Sequence, residues 1–147
     1  MIGFEICRLL SLQSAVYQNL IGLFHINEIP EKIDYHKFAI INDSNHWFVI
    51  HRNLLNEIEV FDSLGKNSSA SGKVKNHFNS NFATNRTQLQ SDNSALCGEF
   101  SIYYILQRFY NDDVSFNDFL NQFFSSNKKR NEERVKKCIS GLENGRF

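Results

Sequence analysis

The run Gln90-Ser91-Asp92-Asn93-Ser94-Ala95-Leu96-Cys97-Gly98, followed by Glu99-Phe100-Ser101-Ile102-Tyr103-Tyr104-Ile105-Leu106, decides how this chain folds, because a polar approach gives way to an apolar segment. Phe100, Ile102, Tyr103, Tyr104, Ile105, Leu106, Phe109 and Tyr110 leave almost no polar face on a helical wheel, so the helix must be surrounded by protein. The pattern predicts a central buried helix with the rest of the fold built around it. Asn93 or Ser94 is a suitable N-cap and sets Cys97 in the first turn. There the positive end of the helix and its free backbone N–H groups favour a thiolate over a thiol. Gly98 beside it leaves room for a substrate backbone to approach.

Upstream, Ile2, Ile6, Leu9, Leu10, Val16, Tyr17 and Leu20 recur at helical spacing, which predicts one or two helices ending at Gly22. After Ile29-Pro30, two β-branched and aromatic runs, His36 to Asn42 and His46 to Arg52, flank the turn residues Asp43, Ser44 and Asn45 and read as a hairpin. A third strand, Ile58 to Asp62, stops at Ser63-Leu64-Gly65. Lys66 to Gly72 reads as an exposed loop, Val74 to Phe78 as a short helix and Ala83 to Gln90 as a strand. Downstream, Ser115 with Asp118 resembles a capping box ahead of Phe116, Phe119, Leu120, Phe123 and Phe124 at helical spacing. A last helix sets Val135, Cys138, Ile139 and Leu142 inward, with Lys and Arg on its polar side. The expected fold is α+β, a small antiparallel sheet flanked by helices, with residues 1–147 as one domain.

Bulk composition narrows the function classes. The 147 residues are 41% hydrophobic and include fourteen Phe, enough for a core without metal or disulfide support. Sixteen basic residues balance sixteen acidic ones, so net charge gives no support to a nucleic-acid coat. The three cysteines, Cys7, Cys97 and Cys138, are odd in number and too far apart for a zinc knuckle, which favours a reducing compartment. Met1 to Leu20 carries no signal-peptide pattern, and no apolar run is long enough to span a bilayer.

Three residue types that can serve a nucleophilic cysteine accompany Cys97. His46 opens a strand and precedes Trp47, whose ring can wall one side of a cleft, and its imidazole can take a thiol proton. His51 lies on the same strand, but an offset of five turns it to the opposite face, and His25, His36 and His77 read as surface or hydrogen-bonded residues. Asp62 ends the next strand, where its carboxylate can fix the histidine tautomer; an ordinary turn-initiating Asp would look alike. Gln90 can offer a side-chain N–H to an oxyanion alongside the Cys97 backbone N–H, although a surface Gln would look the same in isolation. Cys97 by itself reads more readily as a small buried packing residue. The combination shifts that balance.

The order His46-Trp47, Asp62, Gln90 and Asn93-Ser94-Ala95-Leu96-Cys97-Gly98 resembles the adenovirus protease (adenain) family, including relatives in virophages and Polinton-type elements. The spacing of Gln, six residues, then Cys-Gly is similar position for position, and the likeness covers about residues 20 to 110. The resemblance implies a papain-like site in permuted chain order in a thiol protease. Cys97 would be nucleophile, His46 general base, Asp62 the orienting acid and Gln90 with Cys97 the oxyanion hole. Trp47, Asn45 and Gly98 would bind substrate. It implies substrates that are viral capsid or core precursors, often cut near Gly, and a location in the cytoplasm or nucleus of an infected cell and then the virion. No cofactor is implied, and a monomer without membrane contact is expected.

Two departures stand beside the resemblance. The adenovirus enzyme has Glu where this chain has the shorter Asp62, the choice of the similar SUMO proteases. Its activating peptide is held by a cysteine upstream of the nucleophile, and no cysteine lies between Cys7 and Cys97 here. DNA contact through Lys128, Lys129, Arg130 and Arg134 competes with a solvated helix face balanced by Glu132 and Glu133. Two other readings stay open: removal of ubiquitin-like tags or acetyl transfer by the same site, and a non-enzymatic capsid or scaffold component in which Cys97 only packs.

Overall fold

The computed structural model describes residues 1–65, 70–79 and 81–147. Helices α1 (Gly3–Ser11) and α2 (Ser14–Tyr17) lead into β1 (Leu20–His25) and a 3-10 turn at Ile26–Glu28. Strands β2 (Phe38–Asp43), β3 (His46–Arg52) and β4 (Ile58–Phe61) follow, then α3 (Ala70–Phe78) and β5 (Ala83–Thr84). The chain ends with α4 (Cys97–Tyr110), α5 (Phe116–Phe123) and α6 (Lys128–Glu143). The architecture is α+β, with one five-stranded sheet in the order β1-β2-β3-β4-β5.

The expected hairpin is present, β2 against β3 with Ser44 at φ 60 in the turn, and β4 adds antiparallel to β3. The sheet as a whole is mixed, however, because β1 runs parallel to β2 and β5 parallel to β4. Parallel neighbours need a crossover of about a dozen residues. Residues 26–37 supply one, and residues 62–82, which contain α3, supply the other. Gly22 does not end a helix; it lies inside β1 at φ 151, where the register slips between Leu20 and Gly22. The bulge is what calls for glycine there. The strand expected from Ala83 to Gln90 shrinks to two residues. Of the loop expected over Lys66 to Gly72, residues 66–69 lie outside the described residues and α3 already includes Ala70 to Gly72.

Both faces of the sheet are covered, which is why Phe38 to Ile41 of β2 and all of β4, Glu59 included, are buried without alternation. Phe38, Ile40, Val49 and Phe61 face α1, α4, α5 and α6, while Ala39, Ile41, Phe48, Ile50, Ile58 and Val60 meet Val74 of α3 on the other side. Helix α4 is enclosed as its composition demands, with Phe100, Ile102, Tyr104, Ile105 and Leu106 fully buried. Its N-cap is Leu96, not Asn93 or Ser94, and no side chain caps it; the Ser94 hydroxyl instead accepts the Leu96 N–H at 3.3 Å. A side-chain cap contributes about 1 kcal/mol, whereas each buried large apolar side chain contributes about 1.5–3 kcal/mol. Packing therefore positions this helix. Where helix α5 begins, the Ser115 hydroxyl accepts the Asp118 N–H at 3.1 Å, the cap the sequence signalled.

Beneath α4 lies a buried polar cluster. The Arg108 guanidinium donates to Glu59 of β4 at 2.7 and 3.1 Å, the Tyr104 hydroxyl donates to the same carboxylate, and Asn53 donates to it at 2.9 Å. Next to it, Asp112 bridges His36 at 2.6 Å and His51 at 2.7 Å. His36, at φ 61, precedes β2 rather than opening it.

Candidate active site

The edge of the sheet where β3 begins and β4 ends faces the start of α4, and His46, Asp62 and Cys97, three of the four residues singled out in the sequence, meet there. Extending the β3/β4 register past Val49–Phe61 sets Asp62 opposite Phe48, one diagonal step from His46 on the same face. A diagonal pair is within reach of an imidazole and a short carboxylate. His46 Nε2 and Asp62 Oδ1 are 2.8 Å apart. Because a carboxylate only accepts, Nε2 carries the proton in this bond and Nδ1 is left for the sulfur.

Asp62 is almost wholly buried and firmly seated. Its Oδ1 also accepts the Leu64 N–H at 3.0 Å, and the Asn85 side chain pairs with its backbone, accepting from Asp62 N at 3.0 Å and donating to Asp62 O at 2.6 Å. The β4/β5 ladder stops at Val60–Thr84, and the Asn85 amide continues it as a peptide group would. Gly65 closes the corner at φ 58; a Cβ there would stand 2.6 Å from the Thr87 carbonyl oxygen, so both the conformation and the space require glycine.

Cys97 is the first residue of α4, half-buried, with its sulfur 3.7 Å from the Asn45 carbonyl oxygen and in hydrogen-bonding contact with His46. Burial raises the thiol pKa, but the His46 hydrogen bond, the Trp47 and Gly98 backbone N–H groups and the imidazolium charge outweigh it and hold the sulfur below its ordinary value. For His46, burial opposes the charged ring, yet the bonds to Asp62 and Cys97 and their negative charges push it up to about 9. Both shifts favour the thiolate–imidazolium form of the pair over the neutral one. The other two cysteines behave oppositely: burial raises both Cys7 and Cys138, the latter to about 11.

Gln90 is buried beside this pair, in a loop rather than at the end of a strand. Its Nε2 donates to the Ser94 carbonyl at 2.7 Å and its Oε1 accepts the Ser63 hydroxyl at 2.5 Å. One Nε2 hydrogen stays uncommitted to these bonds. A cleft of about 910 Å³ runs past Cys97, His46, Trp47, Asn45 and Gln90. Gly98 does not line it: the residue is buried, and a Cβ there would lie 3.1 Å from Met1 Cβ, so the Met1 side chain fills the space expected for a substrate backbone. The Met1 carbonyl accepts the Trp47 indole N–H at 3.2 Å, and residues 1–3 form one wall of the cleft.

The remaining histidines and the basic helix are placed as follows. His51 is fully buried on the opposite face, bonded to Lys37 O at 2.7 Å and to Asp112, so it is unavailable to Cys97. Among the described residues, His36, His51 and Asp112 alone bring three metal-ligand atoms within 4.8 Å of one another. Their 2.6 and 2.7 Å separations are hydrogen-bond lengths, and Arg108 Nε stands 3.3 Å from Asp112 Oδ1, so both carboxylate oxygens already have partners within the protein. On α6, Lys128, Lys129, Arg130 and Arg134 are exposed, and Glu132 accepts the Ser91 hydroxyl at 2.6 Å.

Sequence reading missed Asn85, Ser63 and Met1. Asn85 and Ser63 carry no motif of their own; only the chain crossing between β4 and β5 reveals what they hold. No protein-family model matches the chain, and no curated protein does.

Proposed function

We propose that the chain is a cysteine endopeptidase of the adenovirus-protease type that cleaves capsid or core precursor proteins. The observation that carries this reading is the sulfur at the amino end of a buried helix, touching an imidazole whose far nitrogen is bonded to a buried carboxylate. The arrangement supports acyl transfer. The Cys97 thiolate attacks the scissile carbonyl carbon, and the negative oxygen that forms is met by the Cys97 backbone N–H and the free Gln90 N–H. The His46 imidazolium gives its Nδ1 proton to the departing amine as the carbon–nitrogen bond breaks, leaving a thioester. Neutral His46 then takes a proton from water, whose oxygen displaces the sulfur and releases the acid product. Asp62 holds the ring in the required tautomer throughout.

Support for the peptide substrate comes from the motif order and from a cleft open along Trp47. Purified protein is expected to cut its cognate precursor or a Gly-containing peptide, with Cys97→Ala losing all cleavage while keeping its circular dichroism spectrum. Cleavage that persists in Cys97→Ala refutes the assignment. Labelling by a ubiquitin-like or SUMO vinyl-sulfone probe, without precursor cleavage, would move the reaction to tag removal at the same site.

A further inference from the structure

We infer that Ser63 is a positioning residue for the oxyanion donor: its hydroxyl, with the Ser94 carbonyl, clamps the Gln90 carboxamide so that one N–H is presented to the cleft. The inference rests on the reading of the site given above and adds a residue to it.

A carboxamide has nearly the same shape with its oxygen and nitrogen exchanged, so packing alone cannot choose its orientation; hydrogen bonds must. At Gln90 the Ser94 carbonyl makes the choice, and the Ser63 hydroxyl, which can donate or accept, holds the Oε1 that this choice turns toward it. The Ser94 carbonyl can only accept, so a flipped amide would set oxygen against oxygen, and at the other end Ser63 Oγ donates to Oε1. Both residues of the second bond are buried, so removing the hydroxyl leaves Oε1 without a donor and without water to replace it. The same bond draws electron density toward Oε1 and sharpens Nε2–H as a donor.

The geometry ties this clamp to the other half of the site. Ser63 follows Asp62 directly, and its carbonyl accepts both the Leu89 N–H at 2.8 Å and the Gln90 N–H at 3.1 Å. Asn85 holds the backbone of the residue before it. One two-residue corner therefore sets the histidine tautomer through Asp62 and anchors the amide oxygen through Ser63. A side chain that merely packed the corner would not need a hydroxyl aimed at the Gln90 oxygen.

Two reagents separate this role from general damage. Iodoacetamide alkylates a thiolate by direct displacement with no oxyanion, whereas p-nitrophenyl acetate acylates it through a tetrahedral oxyanion. In Ser63→Ala the acylation rate of Cys97 should fall on the order of tenfold, against roughly 10²–10³ for loss of an oxyanion donor, while alkylation stays at the wild-type rate. Ser63→Thr, which retains a hydroxyl, should keep the wild-type ratio of the two rates. Adding Ser63→Ala to Gln90→Met should cost nothing further, since the effect passes through the amide. Equal loss of both rates, or an additive double variant, overturns the role. Without any substitution, the Gln90 side-chain amide proton bonded to the Ser94 carbonyl should exchange with solvent far more slowly than those of exposed Gln18; equal exchange also overturns it. A wild-type Cys97 that alkylates no faster than Cys7 would instead remove the peptidase reading beneath it.

Discussion

At the scale of single residues, burial works against charge on both His46 and Cys97, and the outcome is reversed by their contact with each other, by Asp62 at the ring and by the Trp47 and Gly98 backbone N–H groups at the sulfur. That dependence is testable. By NMR the His46 ring should titrate at about 9 in the native protein, and in Cys97→Ala, which removes one of the two negative partners, its pKa should drop. An unchanged value would mean that the sulfur contributes nothing. The linkage has a definite sign: the folded value lies above the ordinary 6.5. The stabilisation from this proton is therefore complete below pH 6.5 and is lost as pH rises through about 9. His46, Asp62 and Cys97 were legible in the sequence because each stands at a signalled boundary, a strand start, a strand end or a helix start, whereas Gln90 was singled out at the end of a strand that stops at Thr84. Ser63 and Asn85 were not, because their roles depend on two segments more than twenty residues apart meeting side by side.

Among the elements, those whose signal is local and strong came through: the β2/β3 hairpin, α5 with its Ser115 cap, and α4 with its all-round apolar surface. The short β1 did not, because Leu20 to His25 fits either a helical or an extended period and the apolar run before it is helical. Strand direction was also hidden, since nothing in Ile58 to Phe61 says whether its next neighbour arrives by a hairpin or by a crossover. The join between β4 and α4 rests on Glu59 and Arg108, whose side chains are both fully buried. Removing one partner of such a pair strands the other, at a cost of about 3–5 kcal/mol. Glu59→Ala should lose stability of that order in urea unfolding, whereas a loss under about 1 kcal/mol would show that Arg108 finds water or another acceptor.

For the whole molecule, helices on both faces of the sheet bury its centre and leave chemistry to the sheet's ends. The two ends of β3 are used differently. His51, about 17 Å from His46 at ~3.4 Å per residue, is locked with Asp112 and His36 in a buried clamp, while His46 opens onto the cleft. Residues 1–3 close the molecule over Gly98 and Trp47, a long-range contact that no local pattern in the sequence announces. The claim on which the account turns is an ionised Cys97 sulfur beside a protonated His46, and the three cysteines of one chain provide their own controls. Iodoacetamide should be added at pH 6.5 and the modified residues located by peptide mass spectrometry. Carboxamidomethylation of Cys97 well ahead of Cys7 and Cys138, and its loss in His46→Ala, is the expected result; equal modification of all three thiols would contradict it.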